Sequence, residues 1–208
     1  MVIVQLGANK GNDGLTHWLK ENNPEITQLV LVEPFHVHHQ SLLDCYSEVP
    51  NKVIDSVAID VQPGKFTLYY SPDDAPNYHV SSLTKEHIIK HYSPTVPIEE
   101  LEVEVITLEQ LLKKHKLHKV DWLLVDIEGV DADVVLSFPW SEFDIRRVDI
   151  EWLHLGNKLL PIKQMFHNLG YTQTKGRDLE GYDIGFEKNE KQDFVQTGPF
   201  SWPIQNNR

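Results

Sequence analysis

The N-terminal stretch, residues 2–14, constrains the fold more than any other part of the chain. The apolar run 2–6 stops at Gly7, further glycines follow at Gly11 and Gly14, and an amphipathic pattern then begins. This succession predicts a buried strand, a tight turn and the start of a helix. Glycines let the backbone pass close to a ligand, and the free N–H groups of a first helical turn point at it. The turn is therefore a candidate binding site.

An acidic residue, Glu33, directly follows the second apolar run, 29–32. A carboxylate at the tip of a second strand can accept hydrogen bonds from both hydroxyls of a ribose, so the turn and the acid together predict a nucleoside-containing cofactor. A dinucleotide fingerprint needs G-x-G-x-x-G, whereas this turn reads G-x-x-x-G-x-x-G, with Asn9 where a pyrophosphate would approach. S-adenosylmethionine is the first hypothesis and NAD the second. The alternative is an ordinary βα turn without a ligand.

Composition and charge limit the partners. The 208 residues suffice for one ordinary domain, 1–208. A net charge of −12 argues against nucleic acid, which binds basic surfaces, and suits a cationic cofactor. The single cysteine, no run of ~20 apolar residues and no signal peptide predict a cytoplasmic protein that binds no membrane. Because a strand follows Met1 at once, either the fold tolerates a bare edge or the domain is cut from a longer chain, fused to other domains.

Apolar and alternating runs predict strands, and amphipathic patterns predict helices between them. This alternation, which closes in a hairpin, predicts an α/β fold with a mostly parallel sheet and ligands at the carboxyl ends of its strands. The predicted strands after the first two are 53–59, 65–70, 103–106, 121–126, 147–153, 171–175 and 182–187. The predicted helices are 14–22, 36–47, 107–116, 131–137 and 161–169.

Residues 71–101 differ in character, with four prolines, several serines and no sustained period. A long loop within a compact domain is usually functional, so we predict a lid that faces the substrate and contains a short helix at 84–91. The alternative is a flexible surface loop. Four polar residues of this segment are predicted to bind substrate: Tyr78, His79, Ser81 and Ser82. The polar tail 189–208 is predicted to be pinned by its aromatic residues.

Several of these motifs together resemble the FkbM family of S-adenosylmethionine-dependent methyltransferases. The resemblance covers roughly residues 2–155, and its most specific part is V-D-I-E-G-V-D at 125–131, which is similar to the family's D-x-E-G-x-E signature. Asp131 stands in place of the usual Glu, and Gln5 stands where many members carry Asp. Any role of the family's Asp at the position of Gln5 is therefore absent or shifted in this chain.

The resemblance implies a Rossmann-like class I methyltransferase fold, with a seven-stranded, mostly parallel sheet, an antiparallel strand in its C-terminal hairpin and helices on both faces. It also implies methyl transfer to oxygen, often on a sugar or a polyketide hydroxyl, so a small-molecule or glycan acceptor is expected by analogy. The residues expected to bind S-adenosylmethionine, and to release S-adenosylhomocysteine, are Gly7, Ala8, Asn9, Gly11, Asn12, Glu33, Pro34, Phe35, Ser56, Val57, Ala58 and Asp126.

Acidic residues at strand ends are the catalytic candidates, because a hydroxyl acceptor benefits from a base that takes its proton. Asp126 is assigned to the cofactor amino group or to the acceptor hydroxyl. Glu128 and Glu151 would orient the acceptor, and His154 would act as the base near neutral pH. Alternatively, Asp126 and Glu128 cap the following helix, and Glu151 and His154 are surface residues.

No metal is expected, although a divalent ion held by Asp126 with Glu151 or His154 is chemically feasible. A second candidate, the triplet His36, His38 and His39, lacks the i, i+4 spacing with which helical side chains converge on one ion. These histidines are predicted to be solvated, with His36 near the adenosine, and Cys45 to be a core-side thiol.

Two rival functions stay open at this point. An NAD-dependent sugar oxidoreductase is favoured by Glu33 and disfavoured by Asn9. A catalytically silent cofactor-binding module would keep the fold without turnover. Retention of the glycine turn with Asp126 and Glu128 argues against the silent module.

Overall fold

A computed structural model describes residues 1–153, 155–176 and 181–189. Its strands are β1 (Val2–Leu6), β2 (Gln28–Val32), β3 (Lys52–Asp55), β4 (Ala58–Ile59), β5 (Gly64–Tyr70), β6 (Ser81–Ser82), β7 (Glu99–Ile106), β8 (Lys119–Val120), β9 (Trp122–Val125), β10 (Asp144–Ile145), β11 (Arg147–Glu151), β12 (Tyr171–Lys175) and β13 (Asp183–Lys188). Its α-helices are α1 (Gly14–Asn22), α2 (His39–Cys45), α3 (Lys85–His91), α4 (Leu108–Lys114), α5 (Asp131–Ser137) and α6 (Leu159–Asn168).

Seven strands form the central sheet in the order β12-β13-β11-β9-β1-β2-β3. Neighbours from β11 to β3 pair in parallel, whereas β13 is antiparallel to both β11 and β12. This confirms the predicted mostly parallel sheet with one antiparallel strand in a C-terminal hairpin. The parallel strands end at one edge, which brings together the residues that follow β1, β2, β9 and β11.

Both faces of the sheet are covered, because alternate residues of a strand point to opposite sides. Val4 and Leu6 of β1 belong to a buried cluster with residues of α4, α5 and α6, among them Leu111, Leu112, Val134, Val135, Ile162 and Phe166. Ile3, on the opposite face, belongs to a second cluster with Leu15 of α1 and Leu42 of α2. The near-continuous apolar sequence of β1 and β2 is thus explained by burial on two sides.

A smaller sheet of order β4-β7-β5-β6 lies beside the main one. The sequence predicts one strand over 53–59, but the chain leaves the main sheet after Asp55 and pairs β4 in parallel with β7. The buried carboxylate of Asp55 lies at this bend and accepts hydrogen bonds from Lys114 and His115 at the C-terminal end of α4, both at 2.8 Å. The prediction of a single strand was therefore wrong, and the break follows from pairing between distant segments.

Residues 71–101, called the lobe below, contain more regular structure than a loop. Strand β6, helix α3 and the start of β7 lie within it, and α3 confirms the helix predicted at 84–91. The Asp74 carboxylate accepts hydrogen bonds from the backbone and ring of His79 and from the Tyr92 hydroxyl. The lobe is also fastened to the glycine turn, since Lys10 Nζ donates to Asn77 Oδ1 at 2.7 Å.

The helix boundaries follow local signals closely. Thr107 caps α4, and a reciprocal capping box with Gln110 satisfies two backbone N–H groups, as its position before an apolar pattern predicts. Helix α2 begins at His39, because the three residues before it form a single 3₁₀ turn. No α-helix in the described ranges combines the length and the apolar character that a membrane span requires.

Candidate functional site

The glycine turn is packed between the ends of β2 and β9. The backbone N–H groups of Gly7 and Ala8 both donate to the Val32 carbonyl at 3.0 Å. Gly7 has φ +74°, and a side chain there would overlap the backbone carbonyl oxygen of Asp126. Gly11 has φ +76°, and a side chain there would press on Leu42 and on the ring of Tyr46. These two glycines are required by backbone conformation and by close approach.

Glu33 holds the glycine turn against the chain that follows β2. Its carboxylate is buried, and its two oxygens accept hydrogen bonds from the backbone N–H groups of Asn9 and Phe35, both at 2.8 Å. Burial raises the pKa of Glu33 to about 7, against the opposing effect of these two N–H groups. The carboxyl group lines the cleft beside the turn, as the sequence predicts for a ribose ligand.

The part of the cleft next to Glu33 has a mainly apolar wall and is called the nucleoside pocket here, after the ligand that the sequence predicts for it. Of the predicted cofactor residues, Gly7, Asn9, Pro34, Val57, Ala58 and Asp126 also line it. Tyr78, His79 and Ser81 of the lobe, predicted to bind substrate, line the same pocket. Ser82 is buried, and its hydroxyl donates to the Glu128 carbonyl at 2.7 Å. The lobe thus encloses the space beside Glu33.

Two predicted cofactor residues, Ser56 and Phe35, are absent from the described lining of the cleft. The Ser56 hydroxyl lies 3.4 Å from both ring nitrogens of His36. The Phe35 ring packs against Tyr70 and Tyr78, with ring centroids 4.8 and 4.9 Å apart. Phe35 therefore supports the pocket wall from behind through Tyr78, whereas Ser56 lies outside the cleft beside His36.

His38 is buried, which contradicts its predicted solvation. Burial lowers the pKa of His38 to about 4, and the positive charges of Lys10, His39 and His79 act in the same direction. The prediction assumed an α-helix here, but residues 36–38 form a 3₁₀ turn, in which successive side chains point in different directions from those of an α-helix. His38 therefore points inward beside Phe35.

A second part of the cleft follows the glycine turn. It is called the amino-acid groove here, after the cofactor amino group that Asp126 is predicted to meet. It is lined by the turn residues 5–15, which include Ala8, Gly11 and Asn12, and by residues at the ends of β9, β11 and β13. Gly7, Asn9, His79, Asp126 and Glu128 line both parts. The nucleoside pocket and the amino-acid groove therefore form one continuous cleft.

Acidic side chains converge in the amino-acid groove. Asp126 follows β9, Glu151 ends β11, and Asp183 is brought opposite Glu151 by the antiparallel pairing of β13. Desolvation, followed by repulsion from Glu128 and Glu151, raises the pKa of Asp126 well above its usual range. The Asp126 side chain opens onto the cleft.

Glu128 is held by the lobe and by a left-handed backbone, with φ +56°. Its Oε2 lies 2.8 Å from Nε2 of His87 on α3, and both side chains are largely buried. His87 and Asp183 were not foreseen, because only the folding of α3 and of β13 onto the sheet brings them here. The D-x-E signature gave the position of Glu128 but not of its partner.

Asp131 ties the loop that carries Asp126 and Glu128 to helix α5. Its buried carboxylate accepts hydrogen bonds from the N–H groups of Ile127 at 2.8 Å and Gly129 at 3.0 Å. Burial raises the pKa of Asp131. The alternative that Asp126 and Glu128 cap the helix is wrong, because the N-cap of α5 is Val130 and no side chain of the described residues caps it.

We expect Asp131→Ala to lower the free energy of unfolding by about 1–3 kcal/mol, because two buried N–H groups lose their acceptor. Urea unfolding of both proteins would measure the difference. Asp133→Ala is the matched control in the same helical turn, since Asp133 is exposed and its ion-pair partner in the described part of the chain is Lys158. Its effect should stay within about 1 kcal/mol. Equal effects of the two substitutions would contradict the role given to Asp131.

Some predictions lie outside the described residues, namely those for His154 and for the tail 190–208. Within the described ranges, no group of three or more His, Cys, Asp or Glu side chains is arranged to hold a metal ion. Cys45 is partly buried against the cluster around Leu42, in line with a core-side thiol, and its Sγ donates to the Lys10 carbonyl at 3.4 Å.

The sequence matches the family model of the Methyltransferase FkbM domain over residues 5–172. No curated protein matches it. Among solved structures it is similar to methyltransferase FkbM from Methylobacillus flagellatus KT, with a TM-score of 0.55 and 12% identity over 89% of this chain and 43% of that chain. At this identity the likeness is one of fold, and the chain spans less than half the length of that relative.

A second similar structure is M. capricolum TrmK in complex with S-adenosylhomocysteine. Its TM-score is 0.43 and its identity 10%, over 93% of this chain and 65% of that chain. This chain therefore spans just under two thirds of that structure as well.

Proposed function

The chain belongs to the FkbM methyltransferase family, and from this premise we propose that it transfers a methyl group from S-adenosylmethionine to a hydroxyl of a sugar or glycan. The observation that carries the proposal is the continuity of the cleft. Glu33 stands at one end of it, the acids Asp126, Glu128 and Glu151 stand at the other, and the glycine turn runs between them. A donor lying along the turn would reach from the ribose acid to the acceptor acids.

The nucleoside pocket has the features that an adenosyl group needs. Glu33 offers carboxylate oxygens for the ribose hydroxyls, and Val57 and Ala58 offer an apolar wall for the base. Gly7 lets the turn pack closely against the end of β9, because a Cβ there would overlap the Asp126 carbonyl oxygen. When bound, S-adenosylmethionine supplies an already activated methyl group, so the main tasks of the protein are to position the acceptor and to accept its proton.

The crowded acids supply the proton acceptor. A carboxylate with a raised pKa is a stronger base at neutral pH than an ordinary one, and this favours Asp126 for taking the proton of the acceptor hydroxyl. Glu128, held by His87, would orient the acceptor together with Glu151. The predicted base His154 stays a prediction, because it lies outside the described residues.

A sugar acceptor is supported by the walls of the amino-acid groove. Carboxylates accept hydrogen bonds from several hydroxyls at once, and Asp126, Glu151 and Asp183 line the same groove. Trp152 and Tyr182 lie next to these acids in the chain and are 41% and 44% exposed. Their flat, amphipathic rings offer a surface on which a sugar ring can pack.

Calorimetric titration with S-adenosylhomocysteine and, separately, with NADH tests the cofactor. We expect binding of the first compound only, whereas binding of NADH alone would favour the rival oxidoreductase. Incubation with methyl-labelled S-adenosylmethionine and a set of neutral glycosides then tests the acceptor, with transfer read by mass spectrometry. Asp126→Asn should reduce turnover about 10²- to 10⁴-fold, the usual contribution of a general base. Binding of S-adenosylhomocysteine without transfer to any glycoside would contradict the sugar assignment.

A further inference from the structure

Asp13, at the far end of the glycine turn, is a carboxylate that the function described so far does not use. It precedes α1 as its N-cap, and its Oδ1 accepts hydrogen bonds from the Thr16 backbone at 3.1 Å and the Thr16 hydroxyl at 3.2 Å. Among the residues that the structure describes, its other oxygen, Oδ2, accepts only from Gln5 Nε2, at 2.6 Å. Asp13 is partly buried and lines the amino-acid groove.

Gln5 fixes the direction of this carboxylate. The Gln5 side chain is buried, and its amide oxygen accepts a hydrogen bond from the Tyr46 hydroxyl at 3.3 Å. With its oxygen engaged by Tyr46, the amide must direct its NH₂ group toward Asp13. Gln5 stands where the resemblance would place an acid, so the negative charge near the end of β1 comes here from the start of α1.

Asp13 and Asp126 both line the groove, and their surroundings differ. Asp126 is crowded by Glu128 and Glu151, which disfavour its charged form. Asp13 accepts hydrogen bonds from the Gln5 amide, the Thr16 hydroxyl and the Thr16 backbone N–H at the start of α1. Among the described residues, no Lys, Arg or His side chain forms an ion pair with Asp13. The Oδ2 atom of Asp13 therefore retains an acceptor site for a further, cationic donor.

We infer that Asp13, held by Gln5, binds the α-ammonium group of the amino-acid part of the cofactor. This assignment rests on the proposed function, and it resolves the two roles left open for Asp126, which then serves the acceptor hydroxyl. The carboxylate of the same amino-acid part would meet the free N–H groups at the start of α1. The donor is thus held at both ends by carboxylates, Glu33 at the ribose and Asp13 at the ammonium.

Asp13→Asn tests this role, because Asn caps helices as well as Asp does, while the charge and the oxygen that accepts from Gln5 are lost. Two probes are titrated calorimetrically: S-adenosylhomocysteine, and 5′-methylthioadenosine, which lacks the amino-acid part. We expect the substitution to weaken the affinity for S-adenosylhomocysteine about 10- to 100-fold, which is the range for a charge-assisted hydrogen bond. The affinity for 5′-methylthioadenosine should stay unchanged. Urea unfolding of the variant should confirm an intact fold.

Asp126→Asn is the discriminating comparison, since it removes the other candidate partner of the ammonium group. It should change the affinity for S-adenosylhomocysteine by less than about threefold. The inference would be overturned if Asp126→Asn caused a large loss of affinity for S-adenosylhomocysteine and Asp13→Asn caused none. It would also be overturned if Asp13→Asn weakened the affinity for both probes equally. If the unaltered protein bound neither probe, the proposed function itself would be contradicted. Binding of 5′-methylthioadenosine without tighter binding of S-adenosylhomocysteine would contradict only the ammonium site.

Discussion

Gly7→Ala should lower the free energy of unfolding by about 3–5 kcal/mol and abolish measurable binding of S-adenosylhomocysteine. The left-handed backbone at Gly7, with φ +74°, accounts for about 1–2 kcal/mol of this loss. The rest comes from overlap with the Asp126 carbonyl, which is backbone and can yield only if the end of β9 moves. Such a movement would shift the glycine turn and the acid-bearing loop together. Urea unfolding and calorimetry would measure the two effects.

Gly156→Ala provides the control for Gly7→Ala. Gly156 is also left-handed, with φ +53°, but no atom lies within 4 Å of the position that a Cβ would take. Its substitution should therefore cost only the backbone contribution of about 1–2 kcal/mol and leave ligand binding intact. Similar losses of stability in the two variants would mean that conformation, rather than the approach to Asp126, makes glycine necessary at position 7.

Glu33→Ala should weaken the binding of S-adenosylhomocysteine by about 1–3 kcal/mol, because the ribose hydroxyls would lose a buried acceptor. The same substitution frees the N–H groups of Asn9 and Phe35, so part of the loss reflects a looser glycine turn. Glu33→Gln separates the two effects, since the amide keeps one acceptor oxygen and the shape of the side chain. Unchanged affinity in both variants would place the ribose elsewhere.

Affinity should also depend on pH through the same carboxyl group. Burial raises the pKa of Glu33 from 4.5 to about 7, and the protonated acid is a poorer acceptor for two hydroxyls than the carboxylate. Affinity for S-adenosylhomocysteine should therefore rise about tenfold between about pH 6 and pH 8 and then level off. Glu33→Gln should remove this rise. A rise of equal size in Glu33→Gln would assign the titration to another group.

The stability of the ligand-free protein should change in the opposite direction. Since the pKa of Glu33 is higher in the folded protein than in the unfolded chain, its contribution to stability is complete below about pH 4.5. It is lost as the pH rises through about 7, because a buried charge then forms. Relative to Glu33→Gln, the unaltered protein should lose about 3 kcal/mol over this range. Urea unfolding at several pH values would give the difference.

The central sheet and the position of Glu33 at the cleft could be predicted from the sequence because their signals are local. Each of the apolar runs before Gly7 and before Glu33 indicates a strand, the end of that strand and a candidate functional residue within a few positions. Asp13 carried a local signal as well, since an aspartate before an amphipathic run is a typical N-cap. That signal pointed to helix capping, and only the contact with Gln5 revealed its place in the groove.

Other parts of the site depend on contacts between distant segments. Asp183 reaches the groove through its register opposite Glu151 in an antiparallel pair, which the sequence of β13 alone does not specify. His87 reaches Glu128 because α3 packs beneath the loop after β9. The break between β3 and β4 has the same origin, since β4 pairs with β7 from a much later part of the chain. Such features follow from tertiary pairing, which outweighs local preference.

The lobe contacts both working parts of the cleft, and this has a consequence for the order of events. It grips the glycine turn through Asn77 and Lys10, and it grips the acid loop through Ser82 and His87, which bind Glu128. An opening wide enough to release a nucleoside would break both sets of hydrogen bonds at once. The lobe would then have to be open while S-adenosylhomocysteine leaves and S-adenosylmethionine enters, and closed while the acceptor is aligned. Each turnover would therefore include one opening and one closing of the same lobe.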